Sequence, residues 1–539
     1  MRRADAALAA LAVVAGAAAI AFTWQPGLAS LYDDSVFYLM MAQAMSPFAA
    51  ASPAVLATAP FDTYPPFLPL VLALAGGAFD WHIAHAVIAV CFGASVFLLG
   101  AHARQVTGSA RMAFAAALVY AFMPGVWLNV KGILSEFPYM ALSFGALAWY
   151  GAVRERPPST ARTAGFGLLL AAMLLTRTIA VALMAAIALC EALAWWRMRD
   201  RRRLVHALAA LAIPVVVLGA WIVLRPTVGQ DAYAEFGARM AQGTAEGGLG
   251  FVAAMARANA SAIVDAWLNA LLIFWGEWWK PGFLLAITLG AVGLGATLVR
   301  AARFEADGLY CVAFLAIVLA WPFPGQQFRL SLPIIPLVML NALWAWQRLA
   351  LRMVPTSAER RAPWAAVLPL GLCVPAVLFY IVARATTVED PPSEWRKADI
   401  AEFYRVPAGP AAASNARAQI EVFRDLARIR ESTPPDAKVL WYSPAYVALL
   451  AQRRGVRLER PADAPGLAAQ ALASRADYLY LANLHPRDSA HRQGNPLDPA
   501  AFADTLGTAV WRRTGPGGEL RSVLYALDRQ KIDNTKKTP

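Results

Sequence analysis

The residues with chemistry to offer are few, and they sit in short polar breaks of a mostly apolar chain. Asp33 and Asp34 are adjacent carboxylates in Leu31-Tyr32-Asp33-Asp34-Ser35-Val36-Phe37-Tyr38. Asp62 precedes Tyr64-Pro65-Pro66, and Glu136 follows Lys131-Gly132-Ile133-Leu134-Ser135. Arg177 stands between two apolar runs, and Arg329 lies in Gly325-Gln326-Gln327-Phe328-Arg329-Leu330. Lys131 and Lys280 are the only lysines before residue 390. A carboxylate can take the proton of a hydroxyl, and arginine or lysine can neutralise a departing phosphate. The combination suits chemistry on a phosphate-bearing lipid. Acids close to lipid must be hydrated or paired, yet an Asp pair opening a helix is also an ordinary N-cap. On physics alone both readings of Asp33 and Asp34 stay open.

Whether these groups share one surface depends on how the chain crosses a membrane. The apolar runs 7–23, 82–103, 112–128, 136–153, 204–224, 282–299, 309–321, 331–347 and 364–383 approach the length of about 20 residues that a spanning helix needs. Arginines cluster between many of them: Arg2 and Arg3; Arg104 and Arg111; Arg154, Arg156 and Arg162; Arg197 to Arg203; Arg300 and Arg303; Arg348, Arg352, Arg360 and Arg361. The positive-inside rule places all of these in the cytoplasm. The run 163–196 joins two such clusters, so it must cross twice, with Arg177 at the outer turn. The same parity keeps 65–80 and 266–280 from spanning, and both read as interfacial or re-entrant helices on the outer face. About eleven spans result, with the C-terminal stretch outside and Asp34, Asp62 and Glu136 at the outer surface. Arg177 and Arg329 then occupy short outer loops, where the rule disfavours arginine; that weakens the alternative that they only snorkel to head groups.

Composition agrees with a polytopic membrane protein carrying some soluble mass: 59% apolar and 15% charged residues, with mean hydropathy +0.48. The net charge of +13 does not call for nucleic acid, because the arginines lie at span ends, where topology and anionic lipid explain them. Cys91, Cys190, Cys311 and Cys373 all fall inside expected spans, leaving no disulfide framework for an exterior domain. The first apolar run reads as a retained helix rather than a cleaved signal. Within 225–281 the aromatic stretch Phe274 to Lys280 resembles an interfacial belt, with a lipid groove as the alternative. From about 415 the pattern turns soluble α/β: a helix over 415–431, a strand at 438–442, a helix near 444–454, and strands at 477–481, 508–513 and 519–527.

The fold class expected is therefore an α-helical polytopic membrane protein with outer-face interfacial helices and a small C-terminal α/β exterior domain. The boundary falls at 385/386, and the tail after Asp528 is polar and loose.

A resemblance to a known superfamily enters at the first outer loop. Asp34-Ser35-Val36-Phe37-Tyr38-Leu39-Met40-Met41-Ala42 resembles the Asp-x-x-x-Tyr-x-x-x-Ala motif of polytopic GT-C glycosyltransferases, which include the protein O-mannosyltransferases and aminoarabinose transferases. Tyr64-Pro65-Pro66, the acidic start at Glu136, Leu175-Thr176-Arg177 and Arg329 to Pro336 resemble later landmarks of that superfamily, in order, so the likeness spans roughly residues 1–385. Ser35 stands where many members have a second acid, and Tyr64 where a Lys or His often precedes the prolines.

The resemblance implies an inner-membrane glycosyltransferase that moves a sugar from a polyprenyl-phosphate carrier to a cell-envelope glycan, lipid or protein acceptor at the periplasmic face. By that resemblance Asp34 is the base, Asp33 assists, and Glu136 positions the acceptor or a divalent ion. Lys131, Arg177 and Arg329 hold the phosphate, and Asp62, Tyr64 and Tyr38 line the substrate site. A divalent cation, Mg or Mn, is left open as cofactor. Transfer by one displacement inverts the anomeric centre. A transporter or flippase of lipid-linked saccharide is the main rival, but it would place polar groups or broken helices near the midplane, whereas most charge here lies at span ends. A non-catalytic receptor built around the exterior domain is a third reading.

Overall fold

The computed structural model describes residues 3–23, 33–154, 156–157, 159–225, 232–272, 280–353, 362–386, 410–459, 463–482, 497–515 and 517–537. Contacts divide the chain into two units. The first comprises Met1–Trp24, Phe61–Leu68 and His82–Ala383; the second comprises Gln25–Pro60, Pro69–Trp81 and Arg384–Pro539. The second unit thus joins most of the first loop to the C-terminal stretch.

The first unit is helical, as alanine- and leucine-rich apolar sequence must be when it has no water to satisfy its backbone. Its elements are α1 (Arg3–Thr23), α5 (Trp81–Thr107), α6 (Ala110–Ala121), α7 (Pro124–Val130), α8 (Glu136–Val153), α9 (Thr160–Leu174), α10 (Val181–Met198), α11 (Arg201–Leu224), α12 (Ala232–Leu272), α13 (Lys280–Ala302), α14 (Ala306–Leu319), α15 (Gln327–Ser331), α16 (Ile335–Met353) and α17 (Val367–Thr386). Helix α4 (Phe67–Ala75) begins in the first unit and continues into the second.

Among the described residues seven helices are long and apolar enough to cross a membrane: Asp5–Thr23, Trp81–Thr107, Thr178–Met198, Arg201–Leu224, Met240–Leu272, Lys280–Ala302 and Ala362–Phe379. Two bent pairs, α6 with α7 at 56° and Pro324–Ser331 with α16 at 60°, bring the number to nine. The protein is therefore multi-pass, but the expected count of eleven is not reached. Helices α9 and α14 have 15 and 14 residues, which rise only about 20 Å against a hydrocarbon core of about 30 Å. The bend between α6 and α7 falls at Met123–Pro124, where proline cannot continue the preceding helix.

The segment expected to lie outside between 225 and 281 is the clearest departure. Its described part, α12, is two helices that meet at a kink at Gly248 (φ 52°, ψ −139°), and the stretch Met240–Leu272 is a candidate crossing that the parity count did not include. Alanines distributed through the segment sustain helix on both sides of the glycine-rich patch, and the break falls inside that patch, at Gly248, where φ is positive. The aromatic residues 273–279 lie outside the described residues. Helix α4, at nine residues, is too short to span, as the parity count led us to expect.

Close packing holds the bundle. A Cβ on Gly93 of α5 would sit 2.7 Å from Ala12 O of α1, so these backbones approach only because the position is glycine. Many arginines in the clustered junctions have acid partners. Arg203 forks onto Glu191 at 2.7 and 2.8 Å, Arg300 onto Asp307 at 2.9 and 2.7 Å, and Arg104 pairs with Asp5.

The second unit contains a five-stranded sheet. Its strands are β1 (Lys438–Trp441), β2 (Arg454–Arg457), β3 (Tyr478–Ala482), β4 (Gly507–Thr514) and β5 (Leu520–Leu527), in the order β2-β1-β3-β5-β4. Strand β1 runs parallel to β2 and β3, while β5 is antiparallel to β3 and β4. Strand β2 was not expected: Arg454-Gly455-Val456-Arg457 has one strong β-former and two charges, the composition of a short protected edge. The helix Pro410–Ser432 is tied to the sheet through Asp425, which accepts from Tyr480 at 2.9 Å, Ser522 at 2.6 Å and Arg513 at 2.8 Å.

Helix α2 (Asp33–Met45) belongs to this unit. Val36, Leu39, Met40, Met41 and Ala42 of this helix are all fully buried, and α2 and α3 (Pro53–Leu56) pack against the segment Pro444–Ala451. Consecutive apolar positions leave no polar face, so the helix needs cover all round.

Candidate functional site

In the first unit, four of the chain's singled-out segments are brought to one end of the helical bundle. The break between α9 and α10 is Leu175-Thr176-Arg177, with Arg177 in extended conformation (φ −153°, ψ 129°) before the short turn Thr178–Ala180. It connects α9 to α10, of which only the stretch Thr178–Met198 is long and apolar enough to span, so the two crossings expected of 163–196 are not both found among the described residues. The loop holding Asp62, Tyr64 and the paired prolines is anchored to this break by Phe67 N–H donating to Leu175 O at 2.9 Å. It is anchored again by Arg225, at the end of α11, whose Nη1 donates to Asp62 O at 2.6 Å. Proline at 65 and 66 keeps the loop from joining α4 early.

Glu136 is the centre of the arrangement. It opens α8, where a carboxylate is favoured by the helix dipole, and its side chain is 0% exposed. One of its oxygens, Oε1, receives Arg177 Nη1 at 2.9 Å, Arg329 Nη2 at 3.0 Å and Arg329 Nε at 3.1 Å. Arg177 Nη1 also reaches Ser135 Oγ at 3.5 Å. Two guanidiniums separated by 152 positions of sequence are thus held side by side on one buried carboxylate. They keep 15% and 29% side-chain exposure, so neither guanidinium is fully buried. Lys131 caps the C-terminal end of α7 on the loop leading into Glu136 and is buried to 1%. Lys131, Arg177, Arg225 and Arg329 are the cations, and Asp62 and Glu136 the carboxylates, that these described segments contribute.

Arg329 owes its place to residues that sequence reading did not select. It lies on the five-residue α15, too short to stand alone. Gln327, 1% exposed, donates to Asn259 Oδ1 at 2.7 Å and to Val318 O at 3.0 Å. Asn259, fully buried on α12, donates in turn to Leu319 O at 2.9 Å and Trp321 O at 2.6 Å. This amide relay clamps α15 to α12 and to the end of α14. Helix α12 is itself seated against α7 at Gly125, where a Cβ would come 2.7 Å from Ala270 Cα. The signal for Asn259 was available as an isolated amide in an alanine-rich helix, but it lay in a segment read as an outer loop.

The remaining expected residues are in the second unit. Asp34 is half-buried in the first turn of α2 and Tyr38 is 4% exposed one turn later. Asp33 opens the same helix, and its side chain lies outside the described residues. Among the described residues no three of His, Cys, Asp and Glu gather as a set of metal ligands.

No family model and no curated protein sequence matches this chain. Its fold, however, is that of solved structures. The Archaeoglobus fulgidus oligosaccharyltransferase AglB, in complex with an inhibitory peptide and a dolichol-phosphate, superimposes with TM-score 0.51 at 13% identity, covering 97% of this chain and 74% of AglB. ArnT from Cupriavidus metallidurans bound to undecaprenyl phosphate superimposes with TM-score 0.52 at 15% identity, covering 96% of this chain and 97% of ArnT. The fold is that of the GT-C glycosyltransferases. Both neighbours are matched along nearly the whole of the present chain, so the likeness takes in the α/β region as well as the helical bundle of this GT-C fold.

Proposed function

We propose that this GT-C-fold protein transfers a sugar from a polyprenyl-phosphate carrier to an acceptor at the outer, periplasmic face of the inner membrane. The observation that carries the reading is the pair Arg177 and Arg329 fixed on Glu136. Adjacent guanidiniums held by a buried acid are a preformed seat for a phosphate, because the ordering cost is met before the ligand arrives. Solved proteins of the same fold hold dolichol phosphate and undecaprenyl phosphate.

In the proposed reaction the Asp34 carboxylate takes the proton of the acceptor hydroxyl, and the acceptor oxygen forms a bond to the anomeric carbon. The bond from that carbon to the phosphate oxygen breaks, and the electron pair leaves with the phosphate. Arg177, Arg329 and Lys131 balance the charge that develops there. One displacement gives inversion. Glu136 is here a positioning residue, since the oxygen described above is committed to the two arginines; this replaces the expected role of holding acceptor or ion. Asp33 assists Asp34, and Asp62, Tyr64 and Tyr38 shape the substrate site.

Transfer of a labelled sugar from a synthetic polyprenyl-phosphate donor, using purified protein in lipid nanodiscs and envelope extract as acceptor, tests the reading. Labelled product and released polyprenyl phosphate in equal amounts are expected. Donor crossing a sealed vesicle with no product would replace the enzyme by a flippase.

A further inference from the structure

The opposite end of α8 holds a second basic site that the transfer reading does not use. Helix α8 has 18 residues, so Arg154 lies about 27 Å from Glu136 along the helix axis. There a cavity of about 340 Å³ opens between the end of α8, the start of α9, α10 and the start of α11.

Its rim and floor differ in chemistry. Arg154, Arg156, Arg162 and Arg203 line the rim. The two acids that also line it are already engaged. Glu191 is forked by Arg203 and accepts from Tyr150 Oη at 2.7 Å, and Asp200 accepts from the Arg203 backbone N–H at 3.1 Å as the N-cap of α11. Among the described residues that line it, the cavity therefore faces net positive charge. Helix α9 starts at the same turn with no side-chain cap from Ser159, which adds the positive end of its dipole. Deeper in, Phe166, Ile187 and Leu211 supply apolar walls.

We infer that this cavity binds the phosphate head group of an anionic membrane lipid, with the arginines on the phosphate and the apolar walls against the first part of an acyl chain. A free phosphate compound shares the first half of that chemistry but has no use for the apolar floor. Arginine clusters at membrane borders hold such head groups where a pocket concentrates their field. The inference stands independently of the proposed transfer reaction.

Native mass spectrometry of the full chain released from nanodiscs tests it, with phosphatidylglycerol and phosphatidylcholine supplied equally. At least fivefold preferential retention of phosphatidylglycerol is expected, falling to near parity in Arg154→Gln/Arg162→Gln and unchanged in Arg111→Gln, an exposed arginine outside the cavity. Equal retention of the two lipids by the wild type would overturn the inference, whatever the variants do. So would displacement of phosphatidylglycerol by millimolar inorganic phosphate, which would assign the cavity to a soluble anion. A folded double variant that kept the full preference would also overturn it.

Discussion

Replacing Glu136 by Gln removes the shared carboxylate that both site arginines contact, and the consequence follows from the geometry. With charge centres about 4 Å apart and an effective dielectric constant of about 20, each ion pair amounts to about 4 kcal/mol before screening. Because Arg177 and Arg329 remain 15% and 29% exposed, water reduces this, and about 1–2 kcal/mol of coupling per arginine is expected. Glu136→Gln should then destabilise the protein by about 3 kcal/mol, lowering the unfolding midpoint by roughly 5 °C. Arg177→Gln alone should cost about half of that. In Glu136→Gln/Arg177→Gln the two losses should overlap, leaving about 1–2 kcal/mol of non-additivity. Differential scanning fluorimetry in one detergent, with expression and oligomeric state controlled, measures the cycle. The same three variants, titrated with a polyprenyl-phosphate analogue, should show the same overlap in affinity. Additivity within about 0.5 kcal/mol in both measurements would refute the idea that the carboxylate organises the arginines.

Asp34→Asn keeps the shape of the side chain and removes its basicity, so labelled-sugar transfer should vanish while the protein inserts and purifies normally; near-normal turnover would move the base elsewhere. Arg329→Gln should weaken binding of a polyprenyl-phosphate analogue by roughly 1.5–3 kcal/mol, and Arg329→Lys should recover only part, since a point charge lacks the guanidinium fork. Full recovery by Lys would reduce Arg329 to a generic charge. Gln327→Leu breaks the relay to Asn259 and should lower that same affinity about tenfold through loss of about 1–3 kcal/mol of support, with α15 losing protection in hydrogen exchange; protection equal to wild type would disprove the clamp. A reporter that works only outside the membrane should be active when fused after Thr386 and silent after Arg203, and a silent fusion at Thr386 would put the α/β region in the other compartment.

The sequence alone determined that the chain is a bundle of apolar helices with an α/β appendage, because membrane-length hydropathy and strand alternation are local properties that need no partner to be read. It also marked Glu136, Arg177 and Arg329, since isolated charges in apolar surroundings must be paired or functional. It did not determine that these three meet at one carboxylate oxygen, because that depends on how the turn after α9 and the short helix α15 dock against the start of α8. Neither the helical course of α12 on both sides of Gly248 nor the Asn259–Gln327 relay was legible. A glycine patch reads in sequence as the end of regular structure, whereas in the fold it only kinks the chain at Gly248 and helix resumes beyond it. Helix α2 shows the same limit: its pattern said only that it was apolar, and only tertiary packing decided that what covers it is the segment Pro444–Ala451, about 400 residues further along the chain. Burial is a property of the pair of surfaces that meet, and a sequence displays only one of them at a time.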